Sequence, residues 1–291
     1  MFYAERWIDG FPFFRFTIYS LPRLGKFSRF GEKMAIVDPE IVTAIIRQVA
    51  QEIILPRFRA LGQDDVREKN PGDPVTVVDV EAERHLIRHL MPLVAGAMAV
   101  GEEGASDQPA LLQLLQGEAP VWVIDPIDGT ANYIRGDPHF GVIVALVQHQ
   151  RTLFGWIHDP LTGRTCYAEQ GGGSWSGGQR LKLAVKAETE LTGAASMRDR
   201  KTLTRAGLHF RQLGSAAHEY LALLDGGLDF SCYRRLHPWD HAAGVLLYRE
   251  AGGIAGLLDG DDYRPLPNPG TLLMAPDQKK WQDLRQVLLA T

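Results

Sequence analysis

The hydrophobic pattern of the first hundred residues predicts two helices and several short strands. Ile41, Ile45, Val49 and Ile53 recur at helical spacing after Asp38-Pro39, and an aspartate followed by a proline is a favourable helix start. We therefore expect a helix from residue 38 to about 56. The other elements predicted here are a loop at 62–74, a strand at 75–78, a second helix that Asp79 caps and that contains Leu86, Ile87, Leu90 and Met91, and a strand at 97–100.

The most distinctive stretch of the chain runs from Val121 to Thr130. Residues 121–124 are apolar and mostly β-branched, which indicates a buried strand. Pro126 cannot donate to a sheet ladder, so we expect the strand to end just past Asp125. Asp125 and Asp128 would then lie on a tight loop at the edge of a rigid scaffold. Two carboxylates placed in this way suit a hard cation such as Mg2+.

The second half of the chain predicts antiparallel strands followed by a mixture of strands and helices. Because strands and helices do not alternate strictly, a simple Rossmann sheet is disfavoured. The glycines at 171–173 and 177–178 follow a hairpin and open no helix, so they do not favour a phosphate-binding loop. The predicted elements are strands at 142–148, 153–158, 164–169, 208–213, 229–233 and 270–275, and helices at 215–224, at 242–250 with Gly252-Gly253 as its C-terminal cap, and at 278–289.

Composition and charge exclude several classes of protein. The 291 residues are 45% hydrophobic and 23% charged with a net charge of -4, which is typical of a soluble globular protein and gives no electrostatic case for nucleic acid. Cys166 and Cys232 have no metal-binding or redox spacing, which favours reduced cysteines in a cytoplasmic protein. No apolar run approaches the roughly 20 residues that span a bilayer, so we expect no integral membrane segment.

Residues 1–33 differ from the rest, and we set residues 1–37 apart as an aromatic and basic extension. The first 33 residues hold ten of the 26 aromatic residues of the chain and carry six basic against three acidic side chains. Pro12 and Arg15 interrupt the apolar run, which argues against a secretory signal. Three alternatives remain: an arm that packs on the body or on a partner subunit, a weak contact with a membrane surface, and an extension upstream of a native start at Met34.

Three acidic sites share one context, a short apolar segment followed by carboxylates at a turn or helix start. Taken singly, some of them have simpler explanations, because an aspartate can be a helix N-cap and a glutamate pair can be a solvated turn. The segment Asp125–Thr130 is more specific, since an ordinary turn needs no such combination of residues. The three sites are Glu102 with Glu103, Asp125 with Asp128, and Asp240, and Asp79 is a fourth, less distinctive case.

Two longer motifs around these carboxylates resemble a known family. Trp122–Tyr133 (WVIDPIDGTANY) is similar to the signature of the inositol monophosphatase family of Mg2+-dependent, lithium-sensitive phosphomonoesterases. Trp239–Gly244 (WDHAAG), with Glu250–Gly253 closing the helix, resembles the second signature of that family. Gly101-Glu102-Glu103 and Asp73–Asp79 occur in the expected order, so the resemblance covers residues 38–290 approximately.

The resemblance implies an α+β fold, a five-layered αβαβα sandwich of the inositol monophosphatase and fructose-1,6-bisphosphatase type. It implies one phosphatase unit over residues 38–291 with two lobes. The metal-binding lobe would cover about 38–180, and the lobe that carries Asp240 and the substrate side would cover about 181–291. The active site would lie between them.

The resemblance also assigns roles residue by residue. A first Mg2+ would be bound by Glu102, Asp125 and the backbone carbonyl of Ile127, and Asp125 would bridge to a second Mg2+ held also by Asp128 and Asp240. A third, weaker ion would depend on Glu102 and water. Asp79, Thr130 and Glu102 are the catalytic candidates, with Asp79 and Thr130 orienting and deprotonating the attacking water. The candidate substrate contacts are Asp128, Gly129, Thr130, Ser215, Tyr233 and Asp240.

The charges agree with a site for two to three Mg2+. Glu102, Asp125, Asp128 and Asp240 carry -4 in total, and a phosphate dianion brings this to -6, which three divalent ions balance. Coordination to a metal lowers the pKa of water toward neutrality and so supplies a nucleophile at physiological pH. We therefore expect in-line attack of water on a phosphate monoester, without a phospho-enzyme.

The substrate side departs from the inositol-specific members. Those members have a glutamate seven residues before the second-signature aspartate, and it holds ring hydroxyls; here that position is Tyr233, followed by Arg234 and Arg235. Arginine suits a second anionic group on the substrate. Alternatively, both arginines are solvated or pair at a subunit contact. Because the carboxylates already complete a hard-metal site, we interpret the nearby histidines as packing residues; they are His218, His237 and His241.

Three functions are compatible with these residues. The first is a phosphatase for a small sugar or polyol phosphate such as inositol phosphate or fructose bisphosphate. The second is a phosphatase of the same fold that acts on histidinol phosphate or 3′-phosphoadenosine 5′-phosphate. The third is a regulatory protein that has lost catalysis, and the intact metal set argues against it. The partners expected are a small phosphorylated metabolite and a second copy of the chain in a homodimer.

Overall fold

The computed structural model describes residues 36–183, 191–267 and 270–290. The extension predicted at the N-terminus lies almost entirely outside the described residues. Among the helices that are described, none is long and apolar enough to cross a membrane. The α-helices are α1 (Pro39–Val49), α2 (Val77–Leu90), α3 (Glu102–Asp107), α4 (Thr130–Arg135), α5 (Met197–Arg205), α6 (Ala216–Leu224), α7 (Pro238–Glu250) and α8 (Gln278–Leu289).

The strands of the described residues form three sheets. A hairpin pairs β1 (Val66–Asn70) with β2 (Asp73–Thr76). A seven-stranded sheet contains, in spatial order, β3 (Met98–Gly101), β4 (Val121–Asp128), β5 (Gly141–Gln148), β6 (Arg151–Asp159), β7 (Arg164–Glu169), β8 (Gly173–Ser176) and β9 (Gln179–Leu181). A five-stranded sheet has the order β11 (His209–Phe210), β10 (Thr192–Ala195), β12 (Phe230–Tyr233), β14 (Leu272–Ala275) and β13 (Ile254–Leu257).

Three hydrophobic clusters stack these elements into five layers. The first joins α1 and α2 to one face of the seven-stranded sheet, where Trp122 and Trp156 are fully buried. The second fills the space between the other face of that sheet and the five-stranded sheet, and it contains α6 and α7. The third joins the outer face of the five-stranded sheet to α5 and α8. The predicted αβαβα sandwich is therefore confirmed.

Helix α1 begins where it is predicted, and a different set of side chains faces the core. Asp38 caps the helix and accepts a hydrogen bond from the backbone N–H of Glu40 at 2.9 Å. Ile41, which the periodicity placed on the buried face, is 42% exposed, whereas Val42 and Ile46 are fully buried. The sequence holds two adjacent apolar stripes, and packing against α2 and β6 selects one of them. The helical path continues through a π-turn and a 3-10 turn to Arg57, close to the predicted end.

Strand β4 does not end at Pro126, contrary to the prediction. Asp125 pairs with Ile143 of β5 and Asp128 pairs with Gly141, so three steps along β4 match two steps along β5. This β-bulge places Pro126 where no ladder donor is required, and the strand continues to Asp128. Both metal-ligand candidates therefore belong to the strand, one on each side of the bulge.

The segment from residue 66 to 79 also differs from its prediction. The predicted loop contains β1, and the predicted strand at 75–78 is instead the end of β2 followed by the start of α2. Thr76 is the N-cap of α2, and its side chain accepts from the N–H of Val78 at 3.1 Å. The Asp79 carboxylate in turn accepts a hydrogen bond from the backbone N–H of Thr76 at 2.9 Å, so Asp79 is the third helical residue of a capping box and not the cap itself.

Helix α7 begins four residues earlier than the predicted residue 242. Pro238 occupies the first helical position, His237 is the N-cap, and Asp240 is the third residue of the first turn. The alternative in which Asp240 is an N-cap is therefore wrong. At the other end Gly252 adopts a left-handed backbone with φ +102°, as expected of the predicted C-terminal cap.

Other differences from the predicted elements arise where local signals are weak. The predicted strand at 208–213 shrinks to two residues, and β8, β9, β10, β13 and α5 have no counterpart in the prediction. Of these strands, β10 and β13 are four residues long and contain alanine and glycine, which have low strand propensity. The glycine-rich segment forms the turns around β8 and β9, and it opens no helix.

We predict that Gly155→Ala destabilises the protein by about 1–3 kcal/mol, because it forces β6 and α7 apart. A Cβ atom at Gly155 would lie 2.7 Å from Cα and 2.9 Å from Cβ of Ala243, three residues after Asp240. The matched control is Gly117→Ala, where the new Cβ meets only the Leu114 carbonyl oxygen at 3.4 Å. Urea unfolding measures both changes, and equal stabilities of the two variants would contradict the prediction.

Candidate active site

Asp125, Asp128 and Asp240 converge at the boundary between the seven-stranded sheet and α7. One carboxylate oxygen from each lies within 4.8 Å of the others. Asp125 and Asp128 are buried and Asp240 is half-buried. The first two come from the end of β4, and the third comes from the first turn of α7, so the tertiary structure brings together residues more than 110 positions apart.

Asp128 is held by the N-terminal turn of α6. It accepts hydrogen bonds from the backbone N–H of Ala216 at 3.1 Å and of Ala217 at 2.7 Å, and it accepts from the hydroxyl of Ser215. Burial raises the pKa of Asp128 to about 6, although these three donors oppose the shift. The carboxylate is thereby oriented by a helix that has no part in the two sequence signatures.

Asp125 has the most unusual environment of the three. It is 2% exposed, and its Oδ1 atom has no hydrogen-bond partner among the described residues. Burial raises its pKa well above the usual value, and the negative charges of Glu102, Asp128 and Asp240 raise it further. Burial and the charges of Asp128 and Glu102 also raise the pKa of Asp240. A buried, unpartnered carboxylate oxygen amid like charges fits a hard cation, so the residues present are suitable ligands for the metal that the resemblance implies.

Glu102 lies beside this cluster. It follows β3, which runs parallel to β4 with Gly101 opposite Ile124, so both strands deliver carboxylates to the same edge of the sheet. The ammonium of Lys69, on β1, lies 2.8 Å from Glu102 and 3.1 Å from Glu103. Burial alone would lower the pKa of Lys69, but the two glutamates outweigh it and keep the ammonium charged.

The turn that carries Glu102 is fixed by Glu83 of α2. The Glu83 carboxylate accepts from the backbone N–H of Glu103 at 2.8 Å and of Gly104 at 2.9 Å. These are two of the donors that the start of α3 leaves without helical partners. Glu83 lies one helical turn after Asp79, so one face of α2 contacts both the turn that carries Glu102 and the side chain of Thr130.

The Thr130 hydroxyl lies close to both Asp79 and the Ile127 carbonyl. The Thr130 hydroxyl lies 3.1 Å from Asp79 Oδ1 and 3.0 Å from the Ile127 carbonyl oxygen, and it can donate to either. Asp79 is 1% exposed, and burial raises its pKa to about 6 despite the bonds from Thr76. A carboxylate with that pKa can accept a proton near neutral pH.

Gly129 and Asn132 place α4 against the loop before α6. Gly129 has φ +86°, and a Cβ there would lie 2.9 Å from the His139 carbonyl and 3.0 Å from Ser215 Cβ. The Asn132 amide donates to the carbonyls of Leu213 at 2.8 Å and His139 at 2.7 Å. Gly129 is therefore required by the left-handed turn and by packing against the protein itself.

The predicted substrate contacts Tyr233 and Ser215 both have partners within the protein. The Tyr233 hydroxyl donates to Glu219 Oε2 at 2.9 Å, and Glu219 is 7% exposed with a pKa that burial raises to about 7. The Ser215 hydroxyl is bonded to Asp128 and also caps α6 through the N–H of His218 at 3.2 Å. Their roles as substrate contacts, like those of Gly129 and Thr130, stay predictions.

The three histidines that could be mistaken for metal ligands are bonded elsewhere. His241 lies between the Tyr220 hydroxyl at 3.0 Å and the Arg235 carbonyl at 2.7 Å. The ring of His218 lies 3.0 Å from the Phe140 carbonyl, and the ring of His237 stacks on Trp239. These contacts agree with the packing role expected for all three.

Sequence reasoning missed several residues that support the site. Lys69 lay in a predicted loop, and Glu219 lay in a predicted helix without distinctive neighbours. The sequence held one signal for Glu83, because Glu83 lies four residues after Asp79 and therefore on the same face of the predicted helix. No sequence signal indicated that Tyr233 pairs with Glu219, because this contact links a strand to a helix across 14 residues.

Comparison with known proteins agrees with this geometry. The model of the inositol monophosphatase family matches residues 38–289, and the chain belongs to that family. A fructose-1,6-bisphosphatase/inositol-1-monophosphatase of Thermotoga maritima is 32% identical over 214 residues, 69% of this chain and 78% of the relative. The 3′(2′),5′-bisphosphate nucleotidase CysQ of Aggregatibacter actinomycetemcomitans is 34% identical over 215 residues, 69% and 77% of the two chains.

A solved structure extends the agreement to the fold. The IMPase of Thermotoga maritima superposes with a TM-score of 0.73 at 27% identity. The match covers 86% of this chain and 96% of that chain. The five-layered architecture is therefore that of the family over nearly its whole length.

We predict that Asp79→Asn removes a pH-dependent contribution to stability in metal-free protein. Because the folded pKa of Asp79 is about 6 and its ordinary value is 3.8, the proton stabilises the folded state fully below about pH 4. That contribution is lost as pH rises through 6. The two-unit shift corresponds to roughly 3 kcal/mol, so the variant should gain about that much relative to wild type between pH 4 and 7.

Urea unfolding in EDTA at several pH values measures this difference. The difference between the unfolding free energies of the two proteins at each pH removes the opposing effect of His158 and His241, because both proteins contain them. Burial lowers the pKa values of these two histidines to about 4. Asp107→Asn, at an exposed position, should show no such pH dependence. A constant difference between wild type and Asp79→Asn across this range would contradict the prediction.

Proposed function

We propose that this protein is a metal-dependent phosphatase that hydrolyses a small phosphate monoester, an inositol-phosphate-like or sugar phosphate. The observation that carries the proposal is the convergence of Asp125, Asp128 and Asp240 beside the Asp79–Thr130 pair. A divalent cation bound there supplies a Lewis acid that activates water and neutralises charge on the phosphate. The four-carboxylate set argues against a regulatory protein without catalysis.

The residues of the chain have separable tasks in this reaction. Thr130 Oγ accepts a proton from the attacking water and passes its own proton to Asp79 Oδ1, 3.1 Å away. Asp79 is ready to accept it because its other oxygen is fixed by the Thr76 N–H and its pKa lies near 6. The first amides of α4 lack helical acceptors, so they suit the phosphate oxygens. Asp125 and Asp128 are rigid because β4 and α6 hold them.

The metal and the assembly are the finer parts of this proposal. We propose Mg2+ as the ion, bound by Asp125, Asp128, Asp240, Glu102 and the Ile127 carbonyl, because all five offer hard oxygen ligands. Inhibition by Li+, a homodimer and a cytoplasmic location are further predictions from the resemblance. Assays with and without Li+ and a solution mass measurement test the first two.

We predict that Asp125→Asn lowers Mg2+-dependent kcat/KM by more than about a hundredfold, since loss of outer partners of a metal site alone costs roughly 10–100-fold. The assay is phosphate release from inositol 1-phosphate and fructose 1,6-bisphosphate, with Mg2+ titrated. Calorimetric Mg2+ binding should weaken in parallel. The control Asp107→Asn removes an exposed carboxylate at the end of α3 and should retain activity. Near-normal turnover by Asp125→Asn, or turnover without divalent metal, would refute the proposal.

A second candidate substrate class, a bisphosphate, is favoured by the loop after β12. Tyr233 replaces the ring-hydroxyl carboxylate, and its hydroxyl is directed to Glu219. The positive charge of Arg235 acts on Asp240, where it lowers the carboxyl pKa against the larger effect of burial. The bond from His241 to the Arg235 carbonyl fixes the backbone at this point. Relatives that are named for bisphosphate substrates are consistent with a cation here.

We predict that Arg235→Gln raises KM for a bisphosphate by about tenfold and leaves KM for a monophosphate within about twofold, because only the second phosphate loses a charged partner. Fructose 1,6-bisphosphate and inositol 1-phosphate are the two substrates to compare. Arg205→Gln, at an exposed position at the end of α5, is the matched control. An equal rise for both substrates would show that Arg235 supports the metal site and not the second phosphate.

A further inference from the structure

A second cavity opens away from the acidic cluster. It has a volume of about 440 Å³ and lies between the turn that joins β5 to β6, the last turns of α7 and residues 262–265. Pockets for small molecules usually measure roughly 300–1,000 Å³, so the cavity can hold a metabolite-sized ligand. Asp240 lies in the first turn of α7 whereas Arg249 lies in its last turn, so the cavity and the acidic cluster are at opposite ends of one helix.

The cavity has an apolar floor. Val245 and Leu246 of α7 are 3% and 7% exposed, and Tyr263 is 5% exposed. These side chains pack into the cluster that fills the space between the two large sheets. The floor is therefore part of the rigid core and does not depend on a loop conformation.

The two acidic side chains in the wall have partners of their own. Glu250 accepts from the backbone N–H groups of Gly171 at 2.7 Å and Gly173 at 2.9 Å, which hold the carboxylate in place and leave its charge. Asp262 pairs with Arg249, which also donates to the Ala255 carbonyl at 2.6 Å. Three arginines and two carboxylates line the cavity, so its lining keeps a net charge of +1.

Two arginines on the rim have no carboxylate partner among the described residues. Within the described residues, neither Arg151 nor Arg264 lies within ion-pair distance of a carboxylate, and both are exposed. Arg264 is instead oriented by a neutral group, since its Nη1 donates to Gln150 Oε1 at 3.1 Å. The guanidinium planes therefore keep their charge and most of their donors available to a ligand.

The turn that holds Gln150 is unusual. His149 and Gln150 both have left-handed backbones, with φ values of +50° and +59°. Asn-Gly would satisfy a two-residue hairpin turn of this kind with less strain. Gln150 at this position keeps its amide on Arg264, so the strained turn serves to orient an arginine over the cavity.

We propose that this cavity is a second ligand site, separate from the catalytic one, for a small organic oxyanion: a phosphate or carboxylate carried on an apolar body. The guanidinium forks of Arg151 and Arg264 match the two oxygens of such a head group. The surface of Val245, Leu246 and Tyr263 receives the apolar part. No binding role for these residues follows from the proposed phosphatase mechanism.

Isothermal titration with phenylphosphonate and benzoate tests the site. Both probes carry an oxyanion on an apolar ring, and comparison of their affinities identifies the preferred head group. In EDTA, the preferred probe should bind wild-type protein saturably at one site, and Asp125→Asn should bind it equally well. Because EDTA and Asp125→Asn both disable the proposed metal site, binding that persists under these conditions does not depend on the phosphatase proposal.

The double variant Arg151→Gln/Arg264→Gln should weaken binding of the preferred probe by roughly tenfold or more, because two charge-assisted contacts are lost. The matched control Arg84→Gln/Arg88→Gln removes two exposed arginines from α2, outside the cavity, and should bind like wild type. Circular dichroism confirms that each variant is folded. Absence of saturable binding by both probes, or equal binding by the two double variants, overturns the proposal.

Discussion

Repulsion between buried carboxylates is the constraint on which the rest of the site depends. Asp125, Asp128 and Asp240 share a space where hydration is largely lost, and Glu102 adds a fourth negative charge beside them. Such a group keeps its protons or gathers cations, because burial and mutual repulsion both oppose ionisation. Lys69 supplies one permanent cation at Glu102. The fold thus holds an arrangement that divalent ions stabilise, and the same ions are what a phosphate dianion requires in order to approach.

The architecture meets this constraint by placing most of the acidic groups at the ends of elements. Asp79, Glu102 and Asp240 lie in the first turns of α2, α3 and α7, where the positive end of the helix dipole opposes the repulsion. Asp128, at the end of β4, receives the first amides of α6. Packing in the buried core fixes the positions of these helix and strand ends. The geometry of the site therefore depends on how the sheets and helices pack together.

The sequence predicted most of the longer elements of the seven-stranded sheet and the helices α1, α2, α6, α7 and α8, and it predicted the element ends and the short strands less well. The signature around Asp125 and Asp128 predicts both a buried strand and a group of carboxylates beyond it. The β-branched residues before Asp125, and Pro126 and Gly129 around the carboxylates, are strong local signals. The predicted end at Pro126 was wrong, since only the register with β5 reveals the bulge that accommodates a proline. Asp79 was predicted to be an N-cap, and an N-cap was the simpler alternative for Asp240. Each is instead the third residue of its helix. A cap and a third helical residue have similar local sequences.

What the sequence alone determined about this protein is its family motifs and, with them, the candidates for the reacting groups: the carboxylates, Thr130, and the glycine that the turn between them requires. These follow from short segments whose local conformation depends on few neighbours. The tertiary structure decided the partners of those groups, such as Lys69 at Glu102, Ser215 at Asp128 and Glu219 at Tyr233. It also decided that arginines of β6 and the segment after β13 face one cavity. Contacts of this kind join residues far apart in the chain, and they depend on strand register and helix packing, for which a single sequence carries no local signal.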